Sequence, residues 1–199
     1  IAEMCEKFGT QEVDAFCVTT LKEAYEKKTL SDAIRHIVYS FLGTYGVVVV
    51  DGDDQLLKKE MVTIVEQEVI ASELSRAWQK QSASLQEQGF NQQLHIRDIN
   101  IFYMQNDYRV RIKKVEQGFQ TIDGKYKWTQ TELRDEIHSH PERFSPNAAL
   151  RPVFQEKILP NIAYIGGPGE LSYWMQLKAG FDAVDVFFPA LLLRNSVYF

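Results

Sequence analysis

The stretch Ala163-Tyr-Ile-Gly-Gly-Pro-Gly-Glu170 has the pattern of a short buried strand that turns directly into a helix. The predicted helix carries apolar residues as far as Phe181, and the apolar run 186–193 follows it as a further strand. A third apolar run, at 47–50, lies upstream and is typical of a strand covered on both faces. Strands that alternate with helices predict right-handed crossovers, and therefore an α/β fold with a parallel sheet and flanking helices.

The glycine-rich turn is the first candidate for a binding site, because ligands of parallel sheets bind beyond the carboxyl ends of the strands. Gly166, Gly167 and Gly169 would let backbone N–H groups approach a ligand, and Pro168 suits the first turn of the helix. The N-terminus of that helix would favour a carboxylate or a phosphate. The alternative is a tight strand-to-helix turn in which Glu170 complements the helix dipole. The glycine spacing matches neither the dinucleotide-binding fingerprint nor a P-loop.

Polar residues near the predicted strand ends are further candidates for substrate binding. They are Arg143, Asn147, Arg151, Arg194, Asn195 and Ser196. The first three lie in a loop punctuated by prolines, where two guanidinium groups would suit a di-acid through bidentate contacts. The alternative role for these arginines is to hold the loop by bonding its carbonyl groups. The last three follow the final apolar run, at the point where the sheet is expected to end.

Residues 94–128 differ in pattern from the rest of the chain and predict a small antiparallel β-hairpin insertion. Asp123-Gly124 lies between the strand-like segments 118–122 and 126–128, which is a strong hairpin signal. Basic residues alternate with apolar ones over 109–113, and we interpret them as a solvated strand face. The expected domain division is a core built from 1–93 and 129–199, interrupted by the insertion at 94–128.

Helical patterns occupy most of the remaining chain. Apolar residues at spacings of three and four predict helices over 12–26, 30–42 and 54–88, and the stripe in the last of these is interpreted as a core seam. Thr129-Gln-Thr-Glu132 has the spacing of a capping box, which predicts the start of a helix. Pro141 is expected to end that helix. A short helix is expected over 153–159.

Composition excludes several classes of protein. The 199 residues include 22 Lys+Arg and 27 Asp+Glu, a formal net charge of −5, and 45% of them are hydrophobic. This balance excludes a disordered tail and disfavours a nucleic-acid partner, which requires a basic surface. The longest apolar run is far shorter than the ~18–20 residues that cross a bilayer, so no membrane partner is expected. Cys5 and Cys17 have no metal-binding or CxxC spacing, which indicates a reduced, cytoplasmic setting.

No metal site is predicted from the histidines. His138 and His140 are two residues apart, and such positions point to different faces of a helix, which disfavours shared ligation of a metal ion. His140 stands directly before Pro141 and is interpreted as a residue at the end of the helix.

Several motifs together resemble one protein family. The matching segments are His140-Pro-Glu-Arg-Phe-Ser-Pro-Asn147, Leu150-Arg-Pro152, Leu159-Pro160, Ala163-Tyr-Ile-Gly-Gly-Pro-Gly-Glu170, Tyr173-Trp174, Gln176-Leu-Lys178 and Arg194-Asn-Ser196. Over almost its whole length the chain resembles the cysteine-adding enzymes of bacillithiol biosynthesis, the BshC family of cysteine ligases.

The resemblance implies a bacterial cytoplasmic enzyme that joins the carboxyl group of cysteine to the amine of glucosaminyl-malate as an amide. It implies a Rossmann-like core with a connecting insertion, and a C-terminal coiled coil through which the full-length protein forms a homodimer. ATP is a candidate cofactor. Because malate is a di-acid, Arg143 or Arg151 together with the turn at 166–170 would suit it. Glu170 is the candidate catalytic residue, which would orient or deprotonate the amine.

The sequence also departs from the family pattern. Full-length members carry an upstream Thr-Gly-Gln-Gln loop and a Glu-Asp-His-Asp segment, and neither occurs here. The chain begins at Ile1 rather than at methionine and stops at Phe199, directly after an apolar run. We therefore expect an internal fragment, inactive alone, without the N-terminal core motifs or the coiled coil. The alternative function is a non-catalytic Rossmann-like module that binds a carboxylate or a nucleotide.

Overall fold

The computed structural model describes residues 15–106 and 108–195 of the chain. The chain divides after Asp51 into two compact units. None of the helices within these two ranges combines the length and the hydropathy that a bilayer-crossing segment needs.

The first unit contains two helices, α1 (Ala15–Tyr25) and α2 (Leu30–Leu42), and a 3-10 turn at Gly43–Tyr45. Thr29 opens α2, because its hydroxyl oxygen accepts a hydrogen bond from the N–H of Asp32 (3.1 Å). The helix predicted over 30–42 is confirmed. The helix predicted over 12–26 is confirmed from residue 15 onward, and its first three residues lie outside the described part of the chain.

The strand predicted over 47–50 is wrong. These residues continue from Gly46, which adopts a left-handed conformation (φ 78°), as chain without strand pairing, and Val47, Val48 and Val50 are exposed. A strand needs a neighbour whose backbone groups pair with its own N–H and C=O groups. The described residues supply no such neighbour, and an apolar run by itself does not identify one.

Three helices replace the single helix predicted over 54–88. They are α3 (Gln55–Lys59), α4 (Val62–Val69) and α5 (Glu73–Glu87). The break before α5 falls at Ser72, whose φ of 55° is left-handed. The carboxylate of Glu68 stabilises this break, because it accepts a hydrogen bond from the N–H of Ser75 (3.0 Å) in the first turn of α5. Met61, Leu74 and Trp78 of the predicted stripe are buried, so its interpretation as a core seam is confirmed.

The main sheet is antiparallel and has five strands in the order β4-β3-β2-β1-β5. The strands are β1 (Ile101–Gln105), β2 (Tyr108–Val115), β3 (Gly118–Thr121), β4 (Lys127–Trp128) and β5 (Phe144–Pro146). The predicted hairpin is confirmed, since β3 pairs with β4 and Gly124 between them has a φ of 72°. β5 lies in the segment predicted as a loop, and its Ser145 stands opposite Phe102 of β1.

The predicted parallel sheet is corrected to a two-stranded one in the described residues. The elements after the hairpin are α6 (Gln130–Ser139), α7 (Arg151–Ile158), β6 (Ala163–Gly166), α8 (Pro168–Ala183) and β7 (Ala190–Leu193). β6 and β7 are parallel, and α8 connects them. The capping box at Thr129 and Glu132 is present at the start of α6, and the helix ends at Ser139, before Pro141, as expected. A 3-10 turn at Pro141–Arg143 follows it.

Only the second half of the apolar run 186–193 is strand. The N–H of Val186 donates to the carbonyl oxygen of Phe181 (3.1 Å) at the end of α8. The ring of Phe188 lies 5.0 Å from the ring of Phe181, centroid to centroid, and Pro189 has no N–H to give to a ladder. These contacts hold the first half of the run against α8, so strand pairing begins at Ala190.

The core of the second unit is centred on two tryptophans, Trp78 of α5 and Trp174 of α8, which are almost completely buried. The indole of Trp78 donates from Nε1 to the carbonyl oxygen of Leu177 (2.8 Å), which ties α5 to α8. Trp174 stacks on Tyr164 of β6 with 4.2 Å between ring centroids. The parallel strands are therefore attached to the core through α8, which positions the turn between β6 and α8.

Candidate functional site

The carboxyl ends of β6 and β7 meet at the glycine turn, as is expected of adjacent parallel strands. Gly166 stands opposite Leu193 in the register, and the N–H of Arg194 donates to the carbonyl oxygen of Gly166 (2.9 Å). This bond fixes the segment after β7 beside the turn. The structure thereby brings together Gly166, Gly167, Glu170 and Arg194, which we call the glycine-turn cluster.

The backbone of the glycine-turn cluster is closely surrounded by side chains. A Cβ atom at Gly166 would lie 2.7 Å from Cε1 of Tyr164, so a side chain at this position would displace the tyrosine ring. A Cβ atom at Gly167 would lie 3.4 Å from Nη2 of Arg194 and 3.4 Å from Oε2 of Glu170. The guanidinium and the carboxylate therefore both lie within contact distance of Gly167.

Glu170 has a defined structural task at the start of α8. Its Oε2 accepts a hydrogen bond from the N–H of Gly167 (2.7 Å), the residue that precedes the first turn of α8, and its Oε1 accepts one from the hydroxyl of Tyr164 (3.2 Å). The bond from Gly167 lowers the pKa of the Glu170 carboxyl below its ordinary value, and the Tyr164 bond and the charge of Arg194 add to this effect. Glu170 is therefore a carboxylate at neutral pH and a weak base.

The first turn of α8 keeps backbone donors that have no partner within the helix. Pro168 has no N–H, and the N–H of Gly167 is bonded to Glu170. The N–H groups of Gly169 and Glu170 have no acceptor in the preceding turn of helix, because the helix begins there. A Cβ atom at Gly169 would meet nothing within 4 Å, so this corner is accessible to a ligand. Together with the guanidinium of Arg194, these donors could hold a carboxylate or a phosphate.

Arg143 and Asn147 have protein partners. Nη1 of Arg143 lies 2.7 Å from Oε1 of Glu136 on α6, in a half-buried ion pair. Nδ2 of Asn147 donates to the side-chain oxygen of Asn100 (2.9 Å), and its own Oδ1 accepts from the N–H of Ala149 (2.9 Å). Arg143 thus bonds to a carboxylate on α6 rather than to loop carbonyl groups, the alternative that the sequence suggested. The structure does not bring these two residues into the glycine-turn cluster, and their ligand-binding role stays a prediction.

The remaining predicted residues are less constrained. Arg151 begins α7, where its N–H donates to the carbonyl oxygen of Asn147 (2.9 Å) and its side chain is exposed. Asn195 is exposed and follows Arg194 after β7. Ser196 lies outside the described residues. For all three residues, substrate binding stays a prediction.

Tyr164 is the residue that the sequence analysis missed. Burial raises the pKa of its hydroxyl above the ordinary value, and the negative charge of Glu170 contributes in the same direction. The hydroxyl therefore stays protonated and donates to Glu170. A signal was present, because successive side chains of a strand alternate, so that Tyr164 and Gly166 point to the same face of β6.

The histidines that were considered as metal ligands bond to carboxylates instead. Nε2 of His138 lies 2.8 Å from Oε2 of Glu66, and Nδ1 of His140 lies 3.2 Å from Oε1 of Glu142. Within residues 15–106 and 108–195, no group of three or more His, Cys, Asp or Glu side chains is arranged to hold a metal ion.

Comparison with known proteins gives one consistent family. A family model described as "Bacillithiol biosynthesis BshC, N-terminal Rossmann-like domain" matches residues 1–195. Relatives from Cytophaga hutchinsonii and Christiangramia forsetii are each 41% identical to the chain, over 87% and 96% of its length. A relative from Flavobacterium johnsoniae is 36% identical over 99% of the chain. All three carry the name "Putative cysteine ligase BshC".

The chain spans only about a third of these relatives, between 34% and 38% of their length. The match nevertheless covers nearly every residue of the chain, including the glycine-turn cluster. The expected family and its Rossmann-like domain class are thus confirmed, although the main sheet is antiparallel. The chain belongs to the BshC family of bacillithiol biosynthesis, within its N-terminal Rossmann-like domain.

Proposed function

We propose that the protein containing this chain is a carbon–nitrogen ligase that joins cysteine to glucosaminyl-malate through an amide bond. Membership of the BshC family and the cysteine-ligase name of the relatives support this function. The structural observation that carries it is the approach of Arg194 to the glycine turn, at the shared carboxyl ends of β6 and β7. This is the position at which α/β proteins bind their small ligands.

We assign the acidic part of the substrate to Arg194 and the free donors of α8. A carboxylate of the malate moiety would accept from the guanidinium and from the N–H of Gly169, an exposed residue in the first turn of α8. Glu170 would then orient the amine of the sugar rather than deprotonate it. A carboxyl group with a lowered pKa is a poor general base, and one of its oxygen atoms already caps α8.

We further propose that β6 and β7 belong to a larger parallel Rossmann sheet in the full-length protein. Two features support this: the strands are parallel and joined by a helix, and their exposed faces carry large apolar residues such as Ile165 and Leu192. Parallel sheets are normally covered on both faces, so such residues are expected to be buried by further structure. A cytoplasmic setting and a homodimeric full-length protein follow from the family resemblance and complete the proposed assignment.

A specific observation also favours the second candidate function, a binding module without catalysis. The only carboxylate in the glycine-turn cluster is already held by two internal hydrogen bonds. Such a group can stabilise the fold of a ligand site without taking part in a reaction. The two functions are separated by asking whether the full-length protein forms product or only binds its ligands.

The decisive experiment is an assay of the full-length protein with cysteine and glucosaminyl-malate, with and without ATP. Wild-type protein is expected to form the amide, and Arg194→Gln is expected to raise KM for glucosaminyl-malate by about tenfold or more through loss of a charged hydrogen bond. The matched control is Arg76→Gln, because Arg76 is exposed on α5 outside the glycine-turn cluster.

Two outcomes would contradict this assignment. Absence of product under every nucleotide condition, combined with measurable binding of glucosaminyl-malate, would favour the binding module. An unchanged KM in Arg194→Gln would remove the glycine-turn cluster from the substrate site, even if the enzyme is active.

A further inference from the structure

Four cationic residues line a crevice at the edge of the antiparallel sheet. Arg97 lies in the segment before β1, and Arg111, Lys113 and Lys114 lie on β2. The crevice has a volume of about 350 Å³, which lies within the range typical of small-ligand sites. None of the four residues belongs to the glycine-turn cluster, and we call this second group the basic crevice.

The basic crevice exists because β1 and β2 stop pairing at this point. The paired register of the two strands runs from Gln105 opposite Tyr108 to Phe102 opposite Arg111. Beyond Arg111, β2 pairs with β3 alone. The segment 97–99 therefore separates from the continuing part of β2, and the gap between them is lined by the cationic side chains and by Ile99, Ile112 and Ile122.

The charge of the basic crevice is not neutralised by the protein. Within residues 15–106 and 108–195, no carboxylate forms an ion pair with any of its four cations. Asp98 is the only acidic residue in the lining, and its Oδ1 already accepts a hydrogen bond from Gln79 (3.4 Å). Four cationic residues and one acidic residue thus line this crevice, a local excess of three positive charges in a chain whose formal net charge is −5.

We propose that the basic crevice binds a small polyanion of the phosphate class, namely a diphosphate or triphosphate chain. The net charge of the lining matches such a chain better than it matches a dicarboxylate. Arg111 and Lys113 lie on one face of β2 at a spacing of about 7 Å, so they can bind different phosphate groups of one ligand. An arginine guanidinium also binds phosphate oxygens in pairs, while a lysine contributes a point charge.

The shape of the basic crevice favours a small ligand over a nucleic acid. Its cations line a single concave gap, whereas a nucleic-acid site requires basic residues spread along the backbone of the ligand. The phosphate chain could belong to inorganic pyrophosphate or to a nucleotide. A nucleotide would add contacts between its base and the isoleucine side chains of the lining, so the two sources are distinguishable by affinity.

Calorimetric titration of the full-length protein with pyrophosphate and, separately, with ATP tests this inference. We expect both probes to bind, with an affinity that falls as salt is added, and Arg111→Gln/Lys113→Gln to weaken binding at least tenfold. The matched control is Arg76→Gln/Lys80→Gln, which removes the same two charges from the exposed face of α5 and should bind as the wild type does. Circular dichroism of both double variants verifies that they are folded.

The result also identifies the source of the phosphate chain. Equal affinities for pyrophosphate and ATP would indicate recognition of the phosphate chain alone, and tighter binding of ATP would indicate a nucleotide. Failure of both probes to bind would overturn the inference, as would equal losses in the two double variants. Binding of a single-stranded RNA in the absence of binding by either probe would also overturn it. None of these results depends on the proposed ligase activity.

Discussion

The indole ring of Trp78 lies directly against Gly180, so that α5 and α8 approach each other where α8 has no side chain. A Cβ atom at Gly180 would lie 2.0 Å from Nε1 of Trp78. The same nitrogen donates to the carbonyl oxygen of Leu177 one turn earlier in α8 (2.8 Å). The tryptophan is completely buried and cannot move aside without breaking this bond.

Gly180→Ala is therefore expected to destabilise the protein, although alanine is the better helix former. We expect a loss of about 1–3 kcal/mol in the free energy of unfolding, the usual cost of overpacking a core. Urea denaturation followed by tryptophan fluorescence provides the measurement. Gly169→Ala is the matched control, because a Cβ atom there meets nothing within 4 Å. Equal stabilities of the two variants would show that the helices separate readily.

A second prediction concerns Glu68, a fully buried carboxylate that organises the break between α4 and α5. It accepts hydrogen bonds from the N–H of Ser75 (3.0 Å), from the N–H of Asn100 (3.0 Å) and from Nδ2 of Asn100 (2.7 Å). Glu68→Ala would leave these buried donors without an acceptor. We expect a loss of about 3 kcal/mol or more in the free energy of unfolding.

Denaturation of Glu68→Ala beside Glu87→Ala tests this expectation, because Glu87 is exposed at the end of α5. The control should lie within about 0.5 kcal/mol of the wild type, as is usual for surface substitutions. A similar small effect in Glu68→Ala would mean that water replaces the carboxylate at this position.

The parts of the fold that depend only on residues adjacent in the sequence were predictable. The hairpin at Gly124 and the capping box at Thr129 and Glu132 are set by residues within one turn, and both are present. The pairing of strands is not local, and here the prediction was wrong. The run at 47–50 has the composition of a strand, but composition does not specify a partner. The run 186–193 shows the same limit of composition. Its first half packs against α8 instead of pairing as a strand, because the ring of Phe188 contacts the ring of Phe181.

The candidate site was predictable to a similar degree. The approach of Arg194 to the glycine turn follows from the rule that parallel strands end at one edge of a sheet. The partners of Arg143 and Asn147 do not follow from any such rule, because Glu136 lies on the preceding helix α6 and Asn100 is brought to Asn147 by the pairing of β1 with β5. The hairpin of β3 and β4 could be identified from the sequence, but the pairing of β5 with β1 could not, since 144–146 lies in a segment predicted as a loop.

The third prediction is that Glu66 and Glu68 give opposite contributions to the pH dependence of stability. Hydrogen bonds from His138 and Arg134 lower the pKa of Glu66, although desolvation opposes them, whereas burial raises the pKa of Glu68. Below a pH of about 4.5 the unfolded chain takes up a proton at Glu66 more readily than the folded protein does. The contribution of Glu66 to the free energy of unfolding is therefore lost on acidification. The pH dependence of Glu68 has the opposite sign, because the folded protein binds the Glu68 proton more tightly than the unfolded chain does. The contribution of Glu68 to stability is therefore lost as pH rises.

Urea denaturation between pH 7 and pH 4 of the wild type, Glu66→Gln and Glu68→Gln provides the measurement. The stability advantage of the wild type over Glu66→Gln should begin to shrink as pH falls below about 4.5, the ordinary value for glutamate. The stability of the wild type relative to Glu68→Gln should increase over the same fall in pH, until the pH reaches the ordinary value for glutamate. Parallel pH profiles for all three proteins would contradict both assignments.

The fourth prediction assigns Arg143 to the loop rather than to a ligand. Its guanidinium lies 2.7 Å from Glu136, and this bond raises the pKa of Arg143, as expected for a cation stabilised by a carboxylate. Arg143→Gln, Glu136→Gln and the double variant form a double-mutant cycle. We expect a coupling energy of about 1.5 kcal/mol in urea denaturation, the lower end for hydrogen bonds to charged groups. A coupling energy near zero, with KM for glucosaminyl-malate raised in Arg143→Gln alone, would instead place Arg143 at the substrate.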